Sequence, residues 1–229
     1  MALAHAGKTT TGVQNKSMKL TKLEHAALVL EIDGNKIVVD PGGFTPLLSD
    51  TTNIAAVVIT HEHADHWTPE QLSAIRNDNP DVVIFAPEGV ARAVTDSDVT
   101  VVHAGDTAHA GPFTLRFFGG KHAVIHDSIP VVDNLGVLVN DNLYYAGDSF
   151  SIPEGHPVTT LAVPSGGPWM KLAEAMDYVL AIAPKQSFTT HEMVLSGQGQ
   201  HLSNTRIGWA TEQNGGEFIP LQPGDSVEV

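Results

Sequence analysis

Short apolar runs separated by turn residues dominate the pattern along the chain. The runs LVLEI at 28–32 and KIVVD at 36–40 flank the letters DGN, and two β-branched runs around such a turn predict a β-hairpin. A second hairpin is predicted from NLGVLVN and LYYAGD, which surround the letters NDN. Further strands are predicted, in chain order, at AAVVIT, DVVIF, VTVVHAG, GPFTLRFFGG, VTTLAVPSGGP, SFTTHE and GEFIPL.

Four stretches have helical patterns instead. The stretch TPEQLSAIRN has Thr68 placed as N-cap, Pro69 at the first helical position and Glu70 in the first turn. In WMKLAEAMDYVLAI, apolar side chains recur along one helical stripe, at Leu172, Met176, Val179 and Leu180. The other two predicted helices are PEGVARAV and NTRIGWATEQN. Strands and helices in this order, without a repeat or a low-complexity linker, favour an α/β (α+β) fold in which helices cover two sheets.

Length and composition fit one domain with a large core. The chain has 229 residues, of which 42% are hydrophobic, and the domain is predicted to span residues 18–229. Residues 1–17 are small and polar and lack the apolar core of a signal peptide, so they are predicted to form a disordered leader. Because no apolar run is long enough to span a bilayer, no membrane partner is expected, and the cytoplasm is the default compartment.

Charge and residue usage narrow the possible partners. The net charge is −14, with only 12 Lys and Arg, and such a surface repels phosphate backbones. A nucleic-acid partner is therefore disfavoured and a small-molecule substrate is expected, while assembly into a homo-oligomer stays open. The absence of Cys excludes disulfides and thiolate metal sites, whereas the 12 His are unusual.

The loop after AAVVIT holds three His and one Asp within six positions, at His61, His63, Asp65 and His66. Imidazole and carboxylate groups at such close spacing suit a divalent metal ion. His61 and His63 are two residues apart and can face one ion, whereas Asp65 and His66 follow the turn and can reach a second ion. The alternative is a polar loop of capping residues, but a single Asp would cap a helix equally well.

A metal site needs further ligands, and three polar residues stand just after predicted strands. His122 follows LRFF and GGK, Asp148 ends the LYYAG strand, and His191 ends the SFTT strand. Loops that leave strand ends commonly carry the functional side chains of a fold. Taken alone, Asp148 has an alternative interpretation as a turn or cap residue before Ser149.

In order and spacing, the HxHxDH motif and the three residues after it resemble the metallo-β-lactamase superfamily. The resemblance covers Met18 to the C-terminus and includes DPGG at 40–43. It implies a four-layer αββα sandwich with a two-metal site on one edge. The ligands that it implies for the first ion are His61, His63 and His122. Those that it implies for the second ion are Asp65, His66 and His191. Asp148 would bridge both ions, and Asp40 would orient a ligand or the motif loop.

Differences between this sequence and several branches of the superfamily narrow the set of branches that the chain resembles. Flavodiiron oxygen reductases carry Glu where His63 stands, which disfavours iron redox chemistry. Many lactamases use a Cys ligand, and Asp148 takes that place here. The segments GGKHAVIH, NLGVLV, AGDS and VPSGGPW look most like the small bacterial metal-dependent hydrolases that include the ascorbate-phosphate lactonase.

The resemblance implies a hydrolase that uses a metal-bridging hydroxide on a small ester-like, lactone or phosphoester substrate. Two divalent ions are implied as cofactors, with zinc as the first expectation and manganese as the second. Asp65 is a catalytic candidate because it could orient the hydroxide and assist proton transfer. His126 is the other candidate, either as a substrate contact or as a satisfied loop residue, and His201 has the same two interpretations. The remaining histidines are interpreted as non-catalytic: His5, His25, His103, His109 and His156.

Two alternatives stay open. The first is phosphodiesterase or nuclease-like activity. A basic substrate pocket would favour it, and the chain offers few cations for such a pocket, at Lys121, Lys171, Lys185 and Arg206. The second is a metal-binding regulatory protein without turnover. The complete ligand set favours an enzyme over the second alternative, because losing a ligand is the simplest route to a protein that no longer catalyses.

Overall fold

The structure is a computed structural model that describes residues 17–229. Its strands are β1 (Lys19–Lys22), β2 (Leu28–Ile32), β3 (Asn35–Val39), β4 (Ile54–Val58), β5 (Val83–Ala86), β6 (Thr100–Val101), β7 (Thr107–Ala110), β8 (Phe113–Lys121), β9 (Asp133–Val139), β10 (Leu143–Tyr145), β11 (Thr160–Pro164), β12 (Gln186–Thr190), β13 (Glu217–Phe218) and β14 (Ser226–Glu228). Its α-helices are α1 (Pro69–Asp78), α2 (Glu88–Ala93), α3 (Leu172–Ile182) and α4 (Gly197–Gln213). A 3₁₀ turn spans Glu192–Val194. The leader predicted for 1–17 lies outside the described residues, apart from Ser17.

The strands form two seven-stranded sheets, in the orders β14-β1-β2-β3-β4-β5-β6 and β13-β12-β11-β10-β9-β8-β7. Apolar side chains of both sheets, such as Val39 and Phe117, share one buried core between them. Helices α1 and α2 cover the outer face of the first sheet through residues such as Ile75. Helices α3 and α4 cover the second sheet through residues such as Val179 and Ile207. The four layers confirm the predicted αββα sandwich.

Local turn and cap signals are realised as the sequence predicts. The DGN hairpin joins β2 and β3, and Asp33 and Gly34 both have positive φ, at 51° and 77°, as a two-residue turn of this type requires. Thr68 caps α1 by accepting a hydrogen bond from the backbone N–H of Gln71. Within residues 17–229, no helix is both long and apolar enough to cross a membrane.

Several predicted element boundaries are wrong. The VTVVHAG strand is reduced to the two residues of β6, and β7, which pairs with β8, is not predicted at all. Helix α3 begins at Leu172 instead of Trp169. Helix α4 begins at Gly197 instead of Asn204, because Ser196 caps the Gly199 N–H ahead of a stretch with two glycines.

The last predicted strand, GEFIPL, is also wrong in length, since only β13 forms there. The chain continues to β14, which pairs with β1 from Lys19 to Thr21 and closes the edge of the first sheet. The side chains of β14 are largely exposed, so the strand carries little apolar pattern. Its position depends on pairing with a strand at the other end of the domain, which a local pattern does not reveal.

Parallel pairing gathers several strand ends at one edge of the sandwich. Strands β3 and β4 are parallel in the first sheet, and β10, β11 and β12 are parallel in the second. The chain segments that follow β3, β4, β8, β10 and β12 carry the predicted site residues. Because the carboxyl ends of parallel strands share an edge, loops that are distant in sequence meet there.

Candidate metal centre

Asp40 supports the motif loop from the adjacent strand end. Its two carboxylate oxygens accept hydrogen bonds from the backbone N–H of Thr60, at 2.8 Å, and from the Thr60 hydroxyl, at 2.7 Å. The Nδ1 atom of His66 lies 2.6 Å from Asp40 Oδ2. Asp40 is fully buried and has a φ of 47°, so its backbone is held in the left-handed region. Asp40 thus contacts a predicted ligand and the start of the motif loop, as expected from the resemblance.

The DPGG segment brings two backbones into direct contact. The Gly43 N–H donates to the Ala64 carbonyl at 2.8 Å. A Cβ atom on Gly42 would lie 1.7 Å from the Asp65 carbonyl oxygen, which is far inside van der Waals contact. Glycine at position 42 therefore permits the motif loop to lie against the turn after β3.

Gly42→Ala is expected to destabilise the protein by about 2 kcal/mol or more, because overpacking against a backbone forces the loop to move. Since the displaced atoms belong to Asp65 and His66, metal affinity should fall as well. Urea unfolding and zinc titration would measure both effects. The matched control is Gly197→Ala, where an added Cβ meets nothing within 4 Å. Equal stability of the two variants would contradict this role for Gly42.

The first group of predicted ligands lies together. His61, His63 and His122 offer nitrogen atoms that are all within 4.8 Å of one another. The three ring centroids are 4.7–4.9 Å apart in pairs. His61 Nε2 is 3.1 Å from His63 Nδ1, and tetrahedral zinc ligands with bonds of 2.0–2.1 Å are about 3.3 Å apart. These separations suit a single ion.

The second group contains Asp65, His66 and His191, together with His25, which the sequence interpretation set aside as non-catalytic. Ligand atoms of all four lie within 4.8 Å of one another. Asp65 Oδ2 is 3.9 Å from His66 Nε2 and 3.6 Å from His191 Nε2. The side chain of Asp65 is 24% exposed, whereas those of His66 and His191 are buried, so this group opens to solvent beside the carboxylate.

Asp148 lies between the two groups. Its Oδ1 is 3.3 Å from His66 Nε2, and its Oδ2 is 3.1 Å from His191 Nε2 and 3.4 Å from His122 Nε2. The indole N–H of Trp169 donates to Oδ2 at 2.8 Å. The peptide N–H of Asp148 is bonded to the Asn134 side chain, so both ends of the residue are fixed. The carboxylate is placed where it could contact an ion in either group.

Four of the histidines point the same ring atom at the centre. Their Nδ1 atoms contact acceptors outside it: Thr60 Oγ1 for His61, Asp40 for His66, the Ala123 carbonyl for His122 and the Gly166 carbonyl for His191. The Thr60 hydroxyl proton is already donated to Asp40, so its oxygen accepts from His61. Each Nδ1 therefore carries a proton, so Nε2 is the ring atom that faces the centre and would offer its lone pair to an ion once any second proton has left.

Among residues 17–229, several of these inward atoms are buried and form no hydrogen bond of good geometry, namely Nε2 of His66, His122 and His191 and Oδ1 of Asp148. The three Nε2 atoms lie only 3.1–3.4 Å from Asp148 oxygens. Buried polar atoms are normally hydrogen-bonded, so a cluster of imidazole nitrogens around a buried carboxylate favours a positive charge among them, carried by protons or by a metal ion. Imidazole nitrogen and carboxylate oxygen are suitable ligands for zinc and manganese. The residues present therefore fit the divalent ions that the resemblance implies.

The charges in the centre also favour a cation. Burial disfavours the charge of His66, but the carboxylates of Asp148 and Asp40 outweigh it and raise the pKa of His66 well above its usual value. Burial also disfavours the charge of His191, but the contacts of its ring with Asp148 and Asp65 outweigh burial and raise the pKa of His191 to about 9. Burial and then the neighbouring His66 hold the pKa of His61 well below its usual value. An entering metal ion must displace protons from His66 and His191, so its binding is favoured as pH rises.

The remaining candidates lie apart from this cluster. His126 is exposed on the loop after β8, where its Nδ1 bonds to the Ser128 side chain and backbone N–H. Of the two interpretations of His126, this geometry favours a loop residue with satisfied hydrogen bonds over a substrate contact. His201 is exposed on α4. Sequence reasoning missed Trp169 and His25, and the only local signal was an aromatic residue in the Gly/Pro loop of VPSGGPW.

Known proteins show the same fold and family. The profile of the β-lactamase superfamily domain matches residues 19–191. Protein Rv0786c of Mycobacterium tuberculosis is 36% identical over 215 residues, which cover 92% of this chain and 99% of that protein. The UPF0173 metal-dependent hydrolase SERP1270 of Staphylococcus epidermidis is 26% identical, over 92% of this chain and 100% of its own length.

A solved structure extends the likeness to the fold. Igni18, a metallo hydrolase from the archaeon Ignicoccus hospitalis, superposes with a TM-score of 0.69 at 20% identity, over 93% of this chain and 98% of its own. The two sheets, the covering helices and the clustered His and Asp residues agree with the profile match. The chain therefore belongs to the metallo-β-lactamase superfamily, and its relatives include the small metal-dependent hydrolases predicted from the motif.

Proposed function

We propose that the protein is a hydrolase that uses two divalent metal ions to cleave a small ester or lactone. The observation that carries this proposal is the set of buried Nε2 and carboxylate atoms that converge in two adjoining groups, with Asp148 between them. The name metal-dependent hydrolase, borne by the relative from S. epidermidis, supports the same class of activity. Zinc is the first expectation for the His-rich ligand set, and manganese is the second.

The histidines and Asp65 would have different roles in the reaction. Bound divalent ions lower the pKa of coordinated water toward about 7 and polarise the bond to be cleaved. The histidines would supply neutral nitrogen ligands once their Nε2 atoms have lost any proton. Although burial raises the pKa of Asp65, the contact with His191 and the hydrogen bond from His25 outweigh burial and hold that pKa well below its usual value. A carboxylate that stays ionised accepts a hydrogen bond from water, so Asp65 would orient the attacking water more than store its proton.

Exposed apolar residues that follow the predicted ligands in the chain, together with Phe44 beside His25, support an apolar, uncharged substrate. Exposed apolar side chains follow two of the predicted ligands in the chain, at Val124 and Ile129 after His122 and at Met193 after His191. Phe44 is 47% exposed, and its ring centroid is 4.8 Å from that of His25. Apolar groups beside a few polar ones are typical of small-molecule sites. These residues would contact the acyl or ring carbons of an ester or lactone.

The phosphodiesterase alternative needs cations near the centre to hold a charged phosphate. Lys121 directly precedes His122, but its ammonium group pairs with Asp133 at 2.7 Å. Lys22 is buried against Glu192 at 2.8 Å. Both cations are already neutralised by carboxylates, and the chain has a net charge of −14. An anionic phosphodiester or a polyanionic nucleic acid is therefore the less favoured substrate.

Metal content is the first test. Protein purified without chelators is expected to carry close to two zinc or manganese ions per chain, because two adjoining ligand groups are present. Elemental analysis against protein concentration measures this ratio. A value of one or less after dialysis against excess metal would contradict the dinuclear proposal.

Substrate class is the second test. Metal-loaded protein is expected to hydrolyse p-nitrophenyl esters and γ-lactones. For the esters, kcat/KM should rise as the acyl group lengthens from acetyl to butyryl and beyond. Bis-p-nitrophenyl phosphate, with the same leaving group on an anionic centre, is the matched comparison and should be cleaved more slowly. Faster cleavage of the phosphodiester would support the alternative activity, and no turnover of any substrate by fully loaded protein would favour a regulatory metal protein.

A further inference from the structure

His25 lies at the second ligand group although it is far from the motif in sequence. Its Nε2 is 3.1 Å from Asp65 Oδ2, and its side chain is fully buried. Its other ring nitrogen, Nδ1, is buried without a hydrogen-bond partner among residues 17–229. A carboxylate only accepts hydrogen bonds when ionised, so Nε2 carries the proton and donates to Asp65. The unpaired Nδ1 then has a lone pair, which costs less to leave unsatisfied than an unpaired N–H.

Contact distances distinguish this role from that of another metal ligand. His25 Nε2 is 3.1 Å from Asp65 Oδ2, which is hydrogen-bond distance, whereas Nε2 of His66 and His191 lie 3.9 and 3.6 Å from the same oxygen. The His25 ring packs against the His191 ring, with centroids 3.9 Å apart, and its centroid is 6.0 Å from that of His66. His25 is therefore placed as a hydrogen-bond donor to the Asp65 carboxylate.

The backbone around His25 is tied to His191. The His191 N–H donates to the His25 carbonyl at 2.8 Å, and the His25 N–H donates to Glu192 Oε1 at 3.0 Å. The same Glu192 oxygen accepts from the Lys22 ammonium at 2.8 Å, where the Lys22 side chain is 1% exposed. His25 and His191 both have a φ of 61°, a left-handed conformation that is uncommon for residues other than Gly.

Two such backbones bonded to each other at a ligand group are more than chance packing explains. Uncommon φ values persist where surrounding contacts over-determine them, and they cluster at functional sites. Here the buried Lys22–Glu192 pair holds His25, and His25 in turn holds both the His191 backbone and the Asp65 side chain.

We propose that His25 is a positioning residue that orients Asp65 for the second metal ion through its Nε2–H. This inference rests on the two-ion site of the proposed function and adds a residue outside the ligand set. Hydrogen-bond partners of metal ligands typically contribute about 10–100-fold in metal affinity when they are removed. The loss should fall on the second ion, because His25 is grouped with Asp65, His66 and His191 and not with the first group.

Two amide variants test the hydrogen bond. His25→Gln places an amide N–H close to where Nε2 stands, whereas His25→Asn carries the same amide one methylene short of Asp65. Asn also tolerates the left-handed backbone at this position, so loss of function in His25→Asn does not follow from strain alone. The matched control is His109→Asn, which changes an exposed His on β7.

Zinc titration by calorimetry is the measurement, with circular dichroism to verify folding. Wild type is expected to show two binding steps. His25→Asn should keep the first step and weaken the second about 10–100-fold. His25→Gln should restore the second step to within a few-fold of wild type, and His109→Asn should not change either step.

Three outcomes would overturn the inference. An unchanged second step in His25→Asn would show that His25 does not act on the site. Equal weakening in folded His25→Asn and His25→Gln would show that the imidazole itself is required, as a ligand or as packing. A wild type without a second binding step would overturn the two-ion proposal, and this inference with it. The first two outcomes overturn only the role of His25, because the wild type keeps both steps in them. If His25→Asn does not fold, His25→Gln alone decides, because loss of its second step contradicts a hydrogen-bond role.

Discussion

Asp148→Asn is expected to empty both metal sites and to lower hydrolysis by at least about 100-fold, more than the loss of an outer hydrogen-bond partner alone. The carboxylate lies within 3.1–3.4 Å of Nε2 in His66, His122 and His191, which belong to both ligand groups. An amide keeps the size of the side chain but removes the negative charge, and one of its two ends becomes a donor that faces cations. Zinc calorimetry and a kcat measurement with an active ester would show the effect.

The controls for this variant separate a bridge from a turn residue. His191→Ala should mainly remove the second ion, because His191 belongs to only one of the two groups. Asp177→Asn, an exposed change on α3, should alter neither ion. If Asp148 only served the turn before Ser149, Asp148→Asn would keep wild-type metal content and lose about 1 kcal/mol or less in stability. That result would show that the role assigned to Asp148 is wrong.

His61→Ala is expected to reduce hydrolysis by at least about 100-fold while the protein stays folded. His61 contributes to both the first group and the Asp148 group, so its removal disturbs the first ion directly. The supporting hydrogen bonds between Thr60 and Asp40 do not depend on the imidazole, and they should keep the loop in place. Activity assays and circular dichroism on the same sample measure the two effects.

An exposed histidine provides the comparison for His61→Ala. His103→Ala removes a ring whose side chain is 64% exposed and should leave activity and stability at wild-type values. An unfolded His61→Ala would mean that the metal in the first group is structural, since metal binding then supplies folding free energy. A folded His61→Ala with full activity would exclude this residue from the metal site.

The hydrogen bonds outside the ligand set give the centre its rigidity. Asp40 fixes His66, backbone carbonyls fix His122 and His191, and Trp169 fixes Asp148. These contacts hold the histidine Nε2 atoms and the Asp148 carboxylate in the centre before any ion is present. Burying these polar groups raises the free energy of the folded chain, and a bound cation would offset that increase.

Some of this organisation can be predicted from local sequence because its causes are local. The DGN turn, the Thr68–Pro69 helix start and the apolar runs specify their elements through backbone preference and alternation. The HxHxDH motif places four chemically suitable side chains within one loop, and strand ends identify where His122, Asp148 and His191 leave the sheet. These signals give the order of the elements and the residue types of the predicted site.

Other features depend on contacts between segments that are far apart in the chain. β14 forms by pairing with β1, and Gly42 matters because the Asp65 backbone lies against it. His25 meets Asp65 across 40 residues, and Trp169 meets Asp148 across 21. The sequence by itself determined the residue types of the predicted ligands, their order and the strand ends that carry them. Only the tertiary structure decided which ring nitrogens face inward and which outlying residues hold them, because pairing of the two sheets brings those atoms within hydrogen-bond distance.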